Sequence, residues 1–281
     1  MKKNNIALIV HACDRYELLF KGFEYFFSKN WDFDIPVNYY FATEEVSADI
    51  AHFKNIKSGK GEWSNRLSNL LDQLEEDYIL YFQEDMWLNK PVDQEVFTEL
   101  FKLTLANKWN LVKLNSSEVF KTNSTALSVK GFNVSMLDNK ESNFLMSHQV
   151  SLWNKAFFKQ QLKPDEHPWR NERKGTKRLK ELNPEIFHLD YFAENGNAAI
   201  NKNAPDIARS EYQSISMNAT LNHNVAPFLE ELKSAPHLSA YREKLVYNFA
   251  NGITHDGKPK PLQKDLIKRI KDWVKGKLKL I

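Results

Sequence analysis

The constraint that most limits this chain is an alternation between two hydrophobic periods. An apolar run of strand length, Ile6 to Val10, precedes residues 16–29, where Leu19, Phe23, Phe26 and Phe27 share one helical face. The pattern then repeats. Residues 37–41 read as a strand, 63–76 as a helix with Leu67, Leu70, Leu71 and Leu74 on one side, and 78–82 as a second continuously apolar strand. Residues 93–106 read as a helix and 111–114 as a further strand. A strand that is apolar throughout, rather than at every other position, is covered on both faces. Strands of that kind alternating with helices from the first residues predict an α/β fold, a single domain over residues 1–257 with a mostly parallel central sheet.

Beyond residue 114 the periodicity weakens. Residues 115–150 are polar and rich in Asn and Ser, and read as loops and short strands; 151–162 read as a short helix; 194–210 have no clear period and read as a loop. The last segment differs in kind. After a break rich in Pro and Gly, residues 258–281 hold nine Lys or Arg against two Asp. Within them Leu266, Ile270, Trp273 and Val274 share a face, with lysines opposite. This predicts a basic amphipathic C-terminal helix that lies in the plane of an anionic membrane surface, the alternative being a helix packed on the domain or a solvated tail. No run approaches the ~20 apolar residues of a membrane span. The expected location is therefore cytoplasmic, peripheral on the inner face of the membrane. The single cysteine, Cys13, excludes an intrachain disulfide, which suits a reducing compartment. A net charge of only +3 on 281 residues argues against a nucleic-acid partner.

In a parallel sheet, ligands bind outside the carboxyl ends of the strands. Two polar clusters fall there. His11-Ala12-Cys13-Asp14-Arg15 follows the first strand, and Gln83-Glu84-Asp85 follows the strand at 78–82. Adjacent carboxylates at such an edge suit Mg²⁺ or Mn²⁺, hard ions that take one or two carboxylates plus a diphosphate. The plainer reading is a strand-to-turn junction with solvated acids. Asp14 has its own plain alternative, capping a helix that starts near Tyr16. Cys13, beside His11, reads as a small buried side chain and not a nucleophile. No Gly-rich phosphate loop, HExxH or CxxC occurs.

The stretch Gly61-Glu62-Trp63-Ser64-Asn65-Arg66-Leu67, its helix and the following DYILYFQEDMWL resemble the GT-A glycosyltransferases, in which a helix leads to a strand ending in a DXD-type acidic motif. Gln83 stands where a strict motif has its first aspartate, and Asp85 keeps the last. Residues 148–179, HQVSLWNKAFFKQQLKPDEHPWRNERKGTKRL, resemble the acceptor side of these enzymes. The resemblance covers residues 5–205. It implies a GT-A-like domain that moves a sugar from a nucleoside-diphosphate-sugar to a glycan or lipid-linked acceptor, as in bacterial capsule and lipopolysaccharide synthesis.

Residue by residue, the resemblance implies that Asp85, assisted by Glu84, holds a divalent cation. His11, Asp14, Arg15, Trp63, Ser64 and Gln83 form the nucleotide side. Trp153 and Trp169 flank the sugar, His148 stands on the substrate side as a ligand for diphosphate or metal, and Glu172 is the base of an inverting displacement. Against these stand simpler roles: Glu172 in a surface ion pair with Arg170, Arg173 or Lys174, and His148 as a buried hydrogen-bonded histidine. Asp165 and Glu166 are rival bases, and a retaining mechanism is the alternative chemistry. Two other functions remain open at this point, a non-catalytic nucleotide- or carbohydrate-binding module, which Gln83 favours, and a nucleotidyltransferase.

Overall fold

The computed structural model describes residues 5–196 and 209–259. The basic helix expected over 258–281 lies almost wholly outside the described residues, as does most of the loop expected over 194–210.

The chain begins with β1 (Ile6–His11), a 3-10 turn over Asp14–Leu19, and α1 (Phe20–Asn30). The helix expected from residue 16 thus starts four residues later, because Tyr16 departs from helical angles. Next come β2 (Asn38–Thr43), β3 (Lys54–Lys57), α2 (Trp63–Gln73), β4 (Tyr78–Phe82), β5 (Met86–Leu88), α3 (Gln94–Asn107) and β6 (Leu111–Asn115). The polar middle forms a hairpin of β7 (Thr122–Val129) and β8 (Phe132–Leu137). The short helix expected over 151–162 is in fact β9 (Ser151–Asn154) followed by α4 (Lys155–Gln161). Asn154 makes the change, accepting the Phe157 N–H as the helix cap. Helix α5 (Pro168–Leu182), β10 (Phe187–Glu194) and β11 (Ser210–Ser214) follow. A small hairpin of β12 (Ser216–Met217) and β13 (Thr220–Leu221) leads to α6 (Ala226–Glu231) and α7 (Ser239–Asn251).

These elements make a single mixed α/β domain with a mostly parallel central sheet, the fold class expected from the sequence. The strand order is β3-β2-β1-β4-β9-β6-β10-β11-β5, with the β7–β8 hairpin attached at β10. Strands β1, β2, β3 and β4 run parallel to one another, as do β6, β10 and β11. Strand β9, between β4 and β6, runs against both neighbours, and β8 and β5 pair antiparallel with β10 and β11. Side chains alternate across each strand, and both faces are buried. Leu8, Val10, Leu80 and Phe82 face α1 and α3, while Ala7, Ile9, Ile79 and Tyr81 face α2 and α4. Among the described residues no helix is long and apolar enough to cross a membrane.

The C-terminal helices are bound to the first. The Tyr241 hydroxyl accepts the Gly22 N–H at 3.0 Å and donates to the Leu18 carbonyl at 2.9 Å. Phe228 lies edge-on to Phe26 and Trp87, with centroids 4.7 and 5.4 Å away. A Cβ at Gly22 would come within 2.1 Å of the buried Trp87 ring and 2.7 Å of the Tyr241 oxygen. Gly22→Ala is therefore expected to destabilise despite alanine's helix propensity. Overpacking of this kind costs ~1–3 kcal/mol against a gain of about 1, so the melting temperature falls by several degrees. A thermal denaturation midpoint equal to or above wild type would contradict the packing described.

Candidate active site

Strand direction assembles the site. The carboxyl ends of β1, β4, β6 and β10 gather at one edge. Because β9 runs the other way, its beginning reaches that same edge, carrying His148 and Gln149. Its register with β4, Tyr81 opposite Ser151 and Leu80 opposite Leu152, sets Gln149 level with Gln83. Helix α5 then crosses above with Trp169 and Glu172. The result is a cleft of about 820 Å³ lined by Arg15 and Tyr16 after β1, Gln83, Glu84 and Asp85 after β4, His148 before β9, and His167, Trp169 and Glu172 at the start of α5. Ser214, Ser216 and the β12–β13 turn close its end.

The acidic wall is under electrostatic stress. Glu84 is buried, and its Oε1 accepts the Cys13 N–H at 3.3 Å. Asp85 Oδ2 accepts the Ser214 hydroxyl at 3.1 Å. Burial raises the pKa of both carboxyls, and the charge of Asp85 raises Glu84 further. Among the described residues no group of three or more His, Cys, Asp or Glu side chains converges in metal-ligating geometry.

From α5, Glu172 Oε1 accepts the His148 N–H at 3.0 Å. Burial raises its pKa, while that hydrogen bond and nearby Lys113 oppose the rise. Lys113 is fully buried and pushed down to about 7 by burial; it donates to Ser147 Oγ at 2.7 Å and to the Phe144 carbonyl at 3.4 Å. His148 is 4 % exposed, and no well-formed hydrogen bond reaches either ring nitrogen, the Pro168 backbone making only a weak contact. Burial, then Lys113, pushes its pKa down to about 3, so the ring is neutral at pH 7. Trp63 packs on it at 4.2 Å between centroids. Trp169 stands on the rim, 61 % exposed.

Of the residues expected from the sequence, Arg15, Gln83, Glu84, Asp85, His148, Trp169 and Glu172 line the one cleft. The others do not. Asp14 neither caps a helix nor reaches the cleft; its carboxylate accepts the N–H groups of Glu44, Glu45 and Val46 at 2.8–3.0 Å and holds that loop. Ser64 joins α2 to the α4–α5 connection, its hydroxyl accepting the Glu166 N–H at 3.0 Å. Trp153 is wholly buried, stacked on Phe158 at 4.4 Å, because its strand position points into the α2–α4 core. His11 and Trp63 sit behind the wall, with His11 Nδ1 3.3 Å from the Tyr81 hydroxyl. The rival bases also fall away. Glu166 is gripped by both terminal guanidinium nitrogens of Arg178, Nη1 and Nη2, at 3.0 and 2.9 Å, and Asp165 accepts from Asn65 at 2.8 Å. Cys13 is inert, its thiol pushed up to about 11 by burial and then Glu44.

Sequence reasoning missed Tyr16, Gln149, Ser214, Lys113, Asn115 and Glu194. Two signals were available. Lys113 is a lone charge inside an apolar strand, and Asn115 and Glu194 end strands, as Gln83 to Asp85 nearly do.

No protein-family model matches the sequence, and no curated protein matches it. Solved structures with similar folds include S. aureus TarS 1-349 in complex with UDP-GlcNAc, at 14 % identity and a TM-score of 0.47, over 88 % of this chain and 72 % of that one. A CMP:2-keto-3-deoxy-manno-octonic acid synthetase complexed with CTP matches at 12 % identity and 0.40, over 72 % and 94 %. UTP-bound UGPase from Acinetobacter baumannii matches at 7 % and 0.42, over 67 % and 86 %. Likenesses this distant assign no activity.

His148 supplies a test of the site's electrostatics. Its folded pKa lies below the unfolded value of 6.5, so the unfolded state takes up the proton first as pH falls. The stability tied to its neutral form is present above 6.5 and is lost progressively towards pH 3, at up to ~1.4 kcal/mol per pH unit. Urea denaturation of His148→Gln between pH 6.5 and 4 is expected to give a shallower acid limb than wild type. Parallel limbs would mean that the ring is solvated or already charged.

Proposed function

We propose that the chain is a nucleotide-sugar-dependent glycosyltransferase acting on a glycan or lipid-linked acceptor. The observation that carries this reading is the meeting of Glu84 and Asp85 with Glu172, His148 and Trp169 across one cleft. A paired carboxylate at the sheet edge suits the diphosphate end of a donor, and a separate half-buried carboxylate on α5 suits an acceptor hydroxyl.

The donor set at Glu84 and Asp85 fits a divalent cation. Both ligands are hard oxygens, and the burial that raises their pKa values marks a place where negative charge lacks compensation. When bound there, Mg²⁺ or Mn²⁺ would supply neutralisation of the departing diphosphate. Arg15 adds a guanidinium at the same rim, where it pairs with Asp256 at 3.2 Å. Trp169 offers its ring face to the C–H groups of a sugar. Neutral His148 presents one donor and one acceptor to hydroxyls. In the reaction, the acceptor oxygen bonds to the anomeric carbon and the bond from that carbon to the diphosphate oxygen breaks. The bonding pair leaves with the diphosphate, and the hydroxyl proton passes to Glu172, with inversion at the carbon.

Asp85→Asn is expected to abolish transfer with the circular dichroism spectrum and melting temperature little changed. Turnover within a few-fold of wild type would remove Asp85 from the machinery. Glu172→Gln is expected to lose roughly two or more orders of magnitude in turnover, as loss of a general base does, while donor affinity survives. Collapse of donor affinity instead would place Glu172 on the nucleotide side. The products separate the reading from a nucleotidyltransferase. Incubation with UDP-, GDP- and dTDP-sugars should release nucleoside diphosphate, whereas release of pyrophosphate from a nucleoside triphosphate and a sugar phosphate would favour the latter.

A further inference from the structure

Beside the main cleft lies a smaller cavity of about 260 Å³, and the two share Gln149 and Glu172. Its polar lining comes from the ends of two neighbouring strands, Asn115 of β6 and Glu194 of β10, with Glu172 above. Its apolar lining includes the rings of Phe120 and Phe144.

Three observations point to a ligand here. Asn115 is 2 % exposed and its Oδ1 has no hydrogen-bond partner, although it lines the cavity. A buried acceptor of this kind costs ~1–3 kcal/mol unless a donor reaches it. Phe144 is 51 % exposed and holds a left-handed backbone, φ 52°, that an aromatic residue seldom adopts. The buried Lys113 ammonium fixes that arrangement by donating to the Phe144 carbonyl and to Ser147. A large ring is thus held open to solvent at the mouth of a polar hole. Finally, the lining contains two carboxylates and no basic side chain. The lining offers the acceptors of Asn115, Glu172 and Glu194, the hydroxyls of Ser117 and Ser147 and the Gln149 amide, together with two aromatic residues.

We infer that this cavity is a subsite for one neutral, hydroxyl-rich ring, a single sugar residue. Hydroxyls donate to Asn115, Glu194 and Glu172, and the C–H face lies on Phe120 and Phe144. The volume is below the ~300 Å³ at which ordinary ligand pockets begin, which limits the occupant to about one ring. An acidic sugar is disfavoured: its carboxylate would face Glu172 and Glu194, and the nearby cation, Lys113, is already bonded to Ser147 and the Phe144 carbonyl behind the lining. Only the identification of this ring as the acceptor's rests on the transferase reading; the binding itself does not.

Saturation-transfer NMR on the full chain tests it, with methyl β-D-glucopyranoside, methyl β-D-galactopyranoside, methyl N-acetyl-β-D-glucosaminide and methyl β-D-glucuronide as probes. At least one neutral glycoside is expected to bind, and the glucuronide is not. Asn115→Ala and Phe144→Ala should each weaken the neutral glycoside by roughly 2- to 10-fold, the range for one hydrogen bond or one aromatic contact. Glu194→Gln should admit the glucuronide. Phe144 is exposed, so its variant keeps the test decisive if Asn115→Ala fails to fold. The inference is overturned if no neutral glycoside binds, if the glucuronide binds wild type equally well, or if Phe144→Ala binds as wild type does. UDP binding with Mn²⁺, measured in parallel by thermal shift, keeps the two readings apart. Sugar binding lost in Phe144→Ala without any UDP binding would sink the transferase and leave the subsite; UDP binding without sugar binding would do the reverse.

Discussion

Strand β9 is hydrogen-bonded on both sides and runs against both neighbours, β4 and β6. A parallel strand in that place would deliver its carboxyl end to the ligand edge and its start to the far side of the sheet. The reversed strand does the opposite. It brings the residues before it, Ser147 to Gln149, to the edge where Gln83 and Asn115 end their own strands. It also sends the chain onward along the face covered by α2, so that α5 returns over the opening with Glu172. The close contact between the Glu172 carboxylate and the His148 N–H follows from that reversal.

The first loop depends on a second, smaller network. Arg66 is buried and donates to the Ala12 carbonyl at 2.7 Å and to Ser58 at 3.1 Å, while pairing with Glu44 at 2.9 Å. Asp14 ties the neighbouring backbone from the other side. With both ends of the loop after β1 held, the Cys13 N–H is presented to Glu84. This side of the cleft is therefore shaped by residues that do not line it. Removing Arg66 would leave Glu44 half-buried and uncompensated, a larger loss than that of an exposed ion pair.

Period alone made the first half of the fold legible. Ile6 to Val10 and Tyr78 to Phe82 are apolar at every position, and only a strand covered on both faces tolerates that. Lys54 to Lys57 and Met86 to Leu88 are too short to show a period, so β3 and β5 went unseen. Residues 151–154 were absorbed into a helix because four residues before a helical stretch share its composition, and only pairing with β4 separates them. At the site, residues placed by strand ends were readable: Gln83, Glu84 and Asp85 follow directly from the rule that ligands meet carboxyl ends. Asp14, Ser64 and Trp153 misled because their residue types suit a ligand, while their side chains meet backbone amides or core rings that no local pattern encodes. Glu166 is taken up by Arg178, twelve residues further on, and by Asn171, while Glu172 meets the His148 backbone; neither partner is visible in the local sequence.

The bond between Tyr241 and Gly22 spans 219 residues. Strands β1 to β4 can pair among themselves soon after they leave the ribosome, because their partners are close in sequence. Phe23 and Phe27 of α1 pack on Phe41, Phe53 and Phe82, but the flank at Phe26 and Gly22 is not fully covered until α6 and α7 have been made. Closing so long a loop adds little to the equilibrium cost of folding, since that cost grows only with the logarithm of length. Its weight falls on timing. A nascent chain halted before residue 226 carries a formed sheet with an uncovered apolar flank, the kind of species that chaperones hold and that aggregates when they do not.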